Sequence, residues 1–195
     1  MKVFNISFHR NATLSFTEYM RKNRYKAIHD AYLTACKLQI LGKYYDKKNL
    51  GAKERIEHMV NLEKLDMLVS EYSAFSDNPW GLLYELLDNR YPNSKFILFY
   101  RNTDKWYHSM VKYFGKANSS LRQIIYHGYG SPIGDDNEVV YKSVYEKHNN
   151  DVIEYFKEKD NLLVIKLDEE LDITNKLNQF LGFHNSVQFP KSNKS

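Results

Sequence analysis

The sequence holds one cysteine, Cys36, with eight glycines and four prolines in 195 residues. A lone thiol excludes an internal disulfide and a cysteine-based zinc site, and Cys36, inside a helical pattern, reads as a small core residue. Scarce glycine and proline, with 15% aromatic and 27% charged residues, exclude a low-complexity or disordered chain. No run approaches the roughly 20 apolar residues of a membrane span. The opening stretch, MKVFNISFHR, has too short an apolar core for a signal peptide, so the expectation is a cytoplasmic protein with no membrane span. An excess of one charge is also lacking. Lys and Arg number 28 against 24 Asp and Glu, a formal +4. That mild surplus favours an anionic ligand and falls short of a nucleic-acid footprint, so no nucleic-acid partner is expected.

What is present reads as one domain over residues 1–195, long enough for a full core. Short apolar runs alternate with helical patterns. Val3 to Phe8, Lys26 to His29, Met67 to Val69, Lys95 to Tyr100 and Leu162 to Leu167 read as strands. KFILFY and LLVIKL are so continuously apolar that they suit strands buried on both faces. Helices are expected over about Ser15 to Lys22, Asp30 to Gly42, Ala52 to Leu65, Trp80 to Asn89, Thr103 to Phe114, Glu138 to Lys157 and Ile173 to Leu181. Strand, helix, strand in repetition predicts an α/β three-layer sandwich around a parallel sheet of about five strands. The least regular stretch, Tyr126 to Asn137, is either a loop over a pocket or a surface connection.

Ligands of an open parallel sheet bind beyond the carboxyl ends of the strands, so three junctions matter most. After the first strand comes His9-Arg10-Asn11-Ala12-Thr13-Leu14-Ser15 and then a helix. Amides converging at such a turn, with the helix dipole behind them, bind phosphate or sulfate; Ser or Thr there also serves as a plain helix cap. The second junction is Tyr91 to Arg101, a turn and a strand ending in a charge. Thr103 is the expected helix cap there, and Trp106, Met110 and Tyr113 or Phe114 form an apolar stripe. Ser109 lies beside that stripe, where it and Arg101 can both donate to one phosphate. The third junction is Glu71 to Trp80, whose Asn78-Pro79 marks a turn. It leaves Asp77 at the ligand edge, as a proton acceptor or as a turn former. Glu71, His9 and His108 are weaker candidates.

The first junction has no match to the triphosphatase loop G-x-x-x-x-G-K-[ST]. It resembles the 5′-phosphosulfate loop of sulfotransferases that use 3′-phosphoadenosine 5′-phosphosulfate (PAPS). Arg10 falls on the basic position, Thr13 on the central threonine, and Ser15 one place beyond the second hydroxyl. Ala12 stands where glycine is usual and Leu14 where Thr or Ser is usual. An alanine there penalises a positive φ. Tyr91 to Ser109 closely resembles the superfamily's 3′-phosphate segment, YP-x-[SA]-KFIL-x-x-R-[ND]-x(6)-S. The Tyr145-to-Val152 helix and the Phe189-Pro190-Lys191-Ser192-Asn193 tail resemble one branch of it.

The resemblance implies a P-loop nucleoside triphosphate hydrolase-like fold and sulfuryl transfer from PAPS to an acceptor hydroxyl or amine, on a small molecule or carbohydrate. It implies that residues 10–15 cradle the phosphosulfate, Arg101 and Ser109 grip the 3′-phosphate, and Arg10 and Asp77 are catalytic, with no metal required. A small kinase, or a degenerate relative that binds a nucleotide without turnover, is the alternative.

Overall fold

The computed structural model describes residues 1–29, 40–41, 51–184 and 187–190. Cys36 and the helix expected over Asp30 to Gly42, Ile40 and Leu41 apart, lie outside the described residues. Five strands form one sheet: β1 (Val3–Asn5), β2 (Ala27–Ile28), β3 (Ala74–Phe75), β4 (Lys95–Tyr100) and β5 (Leu162–Lys166), in the order β2-β3-β1-β4-β5. Every pairing is parallel, with Val3 opposite Ala74 on one side and Lys95 on the other. Helices cover both faces, so the architecture is the expected α/β sandwich.

The two faces explain the continuous hydrophobicity of the central strands. Phe4, Phe75, Phe96 and Leu98 bury into one layer, while Val3, Ala74, Ile97, Phe99 and Ile165 bury into the other. Successive side chains of a strand point to opposite faces, so KFILFY has no position for a polar residue between Lys95 and Tyr100. Truncating a fully buried ring such as Phe96 to alanine costs about 3–5 kcal/mol.

The helices are α1 (Thr13–Lys22), α2 (Ala52–Met59), α3 (Leu62–Glu71), α4 (Tyr84–Arg90), α5 (Thr103–Phe114), α6 (Ser120–Ile125), α7 (Asn137–Phe156) and α8 (Ile173–Leu181), with a 3-10 turn at Trp80–Leu82. Met67 to Val69, read from the sequence as a strand, lies inside α3. Leu65, Leu68 and Val69 are its buried stripe and Met67 is exposed, a helical spacing that three apolar letters conceal. The strand comes five residues later, at Ala74–Phe75. The single helix expected over 52–65 is two, because the Asn61 side chain accepts from the Lys64 amide and starts α3 afresh. Helix α5 matches its expected span but is capped by Asn102, whose side chain accepts from Asp104 and Lys105, and not by Thr103. Phe114 packs against the core while Tyr113 is exposed.

The irregular stretch 126–136 is a packed surface connection. Tyr126 stacks on Tyr141 with ring centroids 3.7 Å apart, and the carbonyls of Tyr129 and Pro132 accept from Tyr141 and Tyr107. Among the described residues, no helix is long and apolar enough to cross a membrane.

Candidate active site

The chain leaves β1, runs extended through Phe8, and turns tightly into α1. Arg10 and Ala12 both hold positive φ, at 66° and 56°. Ala12 is the helix N-cap and is left-handed, with no side-chain cap. A left-handed alanine carries a cost that glycine avoids, and here the turn takes that shape without glycine. The helix start therefore offers its first-turn amides without a capping side chain, the condition for anion binding.

Asn11 braces this turn from inside. Fully buried, its amide donates to the Phe8 carbonyl at 3.1 Å, and its oxygen accepts from the Tyr145 hydroxyl at 3.1 Å. The Arg101 amide in turn donates to that hydroxyl at 2.9 Å. Tyr145 thus ties the first junction to the end of β4, and burial pushes its phenol up to about 12. Trp106 stacks flat on the Tyr145 ring at 4.0 Å and donates its indole N–H to the His9 carbonyl.

Beside the turn lies a cleft of about 760 Å³. Arg10, Ala12 and Ser15 line one side, Arg101 and Ser109 another. Arg10 Nε donates to Ser109 Oγ at 3.1 Å, and its guanidinium carbon lies 4.2 Å over the Tyr113 ring. Burial lowers the Arg10 guanidinium from its ordinary value; Tyr113 opposes this and the charge of Arg101 adds to it. Among the described residues, buried Arg101 Nε has no hydrogen-bond partner. Two cations facing one hollow, one with an orphaned donor, fit an anionic ligand.

The far wall is unlike the near one. Residues 170–174 and 188–190 supply it with apolar Leu171, Ile173 and Pro190 and two carboxylates. Glu170 pairs with Lys176, and Asp172 caps α8 by accepting from the Asn175 amide. The tail is pinned there, the Phe189 amide donating to Thr174 Oγ1 at 3.0 Å. The sequence reading passed over this wall, although it follows the C-terminal end of β5, where the strand-end rule points.

The other sequence candidates are absent from the cleft lining. The Asn11 side chain faces the interior and Leu14 is half-buried on α1. Thr13 turns its hydroxyl to His29 Nε2, 3.2 Å away. Asp77, just beyond β3, lies among histidines: Oδ1 is 3.5 Å from His9 Nδ1 and Oδ2 is 3.9 Å from His29 Nε2. Burial alone pushes the Asp77 carboxyl up. The hydrogen bond and electrostatic pull of His9, the pull of His29 and the Asn78 amide outweigh it, holding the group below the ordinary carboxylate range. Glu71 makes an exposed ion pair with Lys26, and His108 is exposed on α5; neither lines the cleft.

A sequence profile of the sulfotransferase domain matches residues 2–195. The chain belongs to the sulfotransferase domain family. No curated protein matches the chain. The turn between β1 and α1 in this member carries a left-handed alanine, Ala12, at the start of the helix.

Proposed function

We propose that this sulfotransferase domain moves a sulfuryl group from 3′-phosphoadenosine 5′-phosphosulfate to an acceptor hydroxyl or amine. The reading rests on the meeting of Arg10, Arg101 and Ser109 at one cleft, with a buried Arg101 Nε that has no partner among the described residues. A donor with two anionic groups suits two cations that line one cleft. Arg101 and Ser109 take the 3′-phosphate, and Arg10 with the amides of residues 12–15 takes the phosphosulfate. The carboxylates of the far wall face the neutral nucleoside, whose amino and hydroxyl groups donate hydrogen bonds, and repel a phosphate placed there.

Transfer then proceeds in line through a loose transition state, by analogy with phosphoryl transfer. The acceptor oxygen or nitrogen forms a bond to sulfur and passes its proton to Asp77. The bond from sulfur to the bridging oxygen breaks, and adenosine 3′,5′-bisphosphate departs with that electron pair. Arg10 stabilises the charge on the bridging oxygen through donors already in place. The depressed Asp77 carboxyl is ionised at neutral pH, as a proton acceptor must be.

Incubation with PAPS carrying radiolabelled sulfur, over a panel of phenols, sugars and amines, tests the reading. Labelled product is expected with the wild-type chain and is lost with Arg10→Ala. Labelled phosphate passing from ATP and magnesium in place of sulfate marks the chain as a kinase and overturns the assignment.

A further inference from the structure

One imidazole nitrogen stands between the donor loop and the carboxylate. His29, immediately after β2, places Nε2 3.2 Å from Thr13 Oγ1 and 3.9 Å from Asp77 Oδ2. The first is hydrogen-bonding distance and the second an ion-pair separation. His29 and Asp77 side chains retain 25% and 21% exposure, against 10% for His9, so this pair borders solvent while His9 is enclosed. The Asp77 oxygens divide their work. Oδ1 is engaged by the Asn78 amide at 2.9 Å and by His9, and Oδ2 faces His29.

A threonine hydroxyl has a single hydrogen and two lone pairs, and an imidazole nitrogen either donates or accepts. If Nε2 carries a lone pair, the Thr13 hydrogen is spent on it and nothing remains for a ligand. If Nε2 carries the proton, Thr13 accepts it and keeps its own hydrogen. An ionised carboxylate 3.9 Å from Nε2 decides between them, because a nitrogen lone pair facing that charge is repelled while an N–H is attracted. Thr13 directly follows Ala12, which lines the cleft.

We propose that His29 is a positioning residue: its Nε2–H, drawn by Asp77, occupies a lone pair of Thr13 Oγ1 and so commits the threonine hydrogen to the anion bound at the 10–15 turn. The inference rests on the sulfotransferase reading of that turn and adds to it a coupling. The charge state of the proton acceptor sets the tautomer of His29, and that tautomer sets whether the donor loop has one hydroxyl donor more or fewer. Loss of the Asp77 charge on proton uptake removes the reason for the Nε2–H form, which loosens the grip on the phosphate as the product nucleotide leaves.

Two measurements test it on the full chain. Long-range proton–nitrogen correlation spectra of histidine-labelled protein at neutral pH read the tautomer directly. His29 is expected protonated at Nε2, with that proton moving toward Nδ1 in Asp77→Asn; an Nδ1–H tautomer in the wild type overturns the proposal. Calorimetric titration with adenosine 3′,5′-bisphosphate reads the consequence. Thr13→Val is expected to weaken binding about tenfold or more, His29→Leu by about threefold or more, and the double variant no further than Thr13→Val. His29→Leu leaves Thr13 its hydrogen and removes only what orients it, so its loss is the smaller of the two; His29→Gln, which restores an N–H donor, recovers most of it and controls for a folding defect. Additive losses, or unchanged affinity in His29→Leu while Arg101→Ala still weakens binding, sink the inference and leave the sulfotransferase reading intact. Absence of bisphosphate binding by the wild-type chain sinks both.

Discussion

His148 is expected to make the fold sensitive to acid. It lies buried on α7, stacked on Phe8 with centroids 3.9 Å apart and rings 11° from parallel, and its Nε2 meets the Ile6 carbonyl at 3.0 Å. Burial is the main cause that lowers its imidazole from 6.5 to about 4, against the opposing pull of Ile6 and Asp151. The folded chain therefore resists a proton that the unfolded chain accepts. Above pH 6.5 His148 is neutral in both states and contributes no pH dependence. Between 6.5 and about 4 the unfolded state binds the extra proton, so stability falls as pH falls, by about 1.4 kcal/mol per pH unit and roughly 3 kcal/mol in all. His148→Gln cannot take up the proton and keeps a donor for Ile6. At pH 7 it is expected to be the less stable chain, by about 1 kcal/mol for the lost ring contact. As pH drops toward 4 that deficit shrinks and reverses. Trp80 and Trp106 are both fully buried, so denaturant unfolding followed by tryptophan fluorescence at intervals from pH 8 to pH 4 reads both chains. Stability curves that stay parallel across this range refute the reasoning.

Three further outcomes follow from the turn itself. Ala12→Gly relieves a left-handed alanine, worth about 1–2 kcal/mol, at an unfolded-state cost of about 0.5–1; the thermal midpoint is expected to rise by about 2–4 °C, and a fall contradicts the strained φ. Asn11→Ala removes the brace on Phe8 and strands the Tyr145 hydroxyl, costing about 2–3 kcal/mol in denaturant unfolding. Arg10→Ala is expected to reduce kcat at saturating donor by about 100-fold or more while changing bisphosphate affinity less, since it acts where charge develops; wild-type turnover rules out that role.

Part of the scaffold was legible in its apolar runs: KFILFY has no polar gap and is β4, buried on both faces, whereas LLVIKL, expected to be buried likewise, carries Lys166 and is the edge strand β5, of which Ile165 alone is buried. The Ala74–Phe75 strand left no such mark, being two residues long between a helix and a turn. Helix α6 was invisible for a related reason. Six residues carry too little periodicity, and tertiary bonds hold them: Arg122 donates to the carbonyls of Gly130 and Ala117 and lies over the Phe114 ring.

The site divides in the same way. Arg10, Arg101 and Ser109 meet because β1 and β4 are parallel neighbours, so the turns that follow them lie at the same edge of the sheet. Thr13 reads as a hydroxyl of the turn with the ligand as its sole partner, yet the structure gives it a second one, His29, brought there by the pairing of β2 with β3. The wall beyond β5 depends on the tail folding back onto Thr174, a contact that no local pattern announces.

The claim on which the rest depends is that Arg101 and Ser109 bind a 3′-phosphate. Calorimetric titration of the full chain with adenosine 3′,5′-bisphosphate and, separately, with adenosine 5′-monophosphate tests it most directly. The account predicts that the bisphosphate binds about 10- to 100-fold more tightly, as one charge-assisted contact of about 1.5–3 kcal/mol requires, and that Arg101→Ala abolishes the difference. Equal affinities for the two nucleotides in the wild-type chain contradict it.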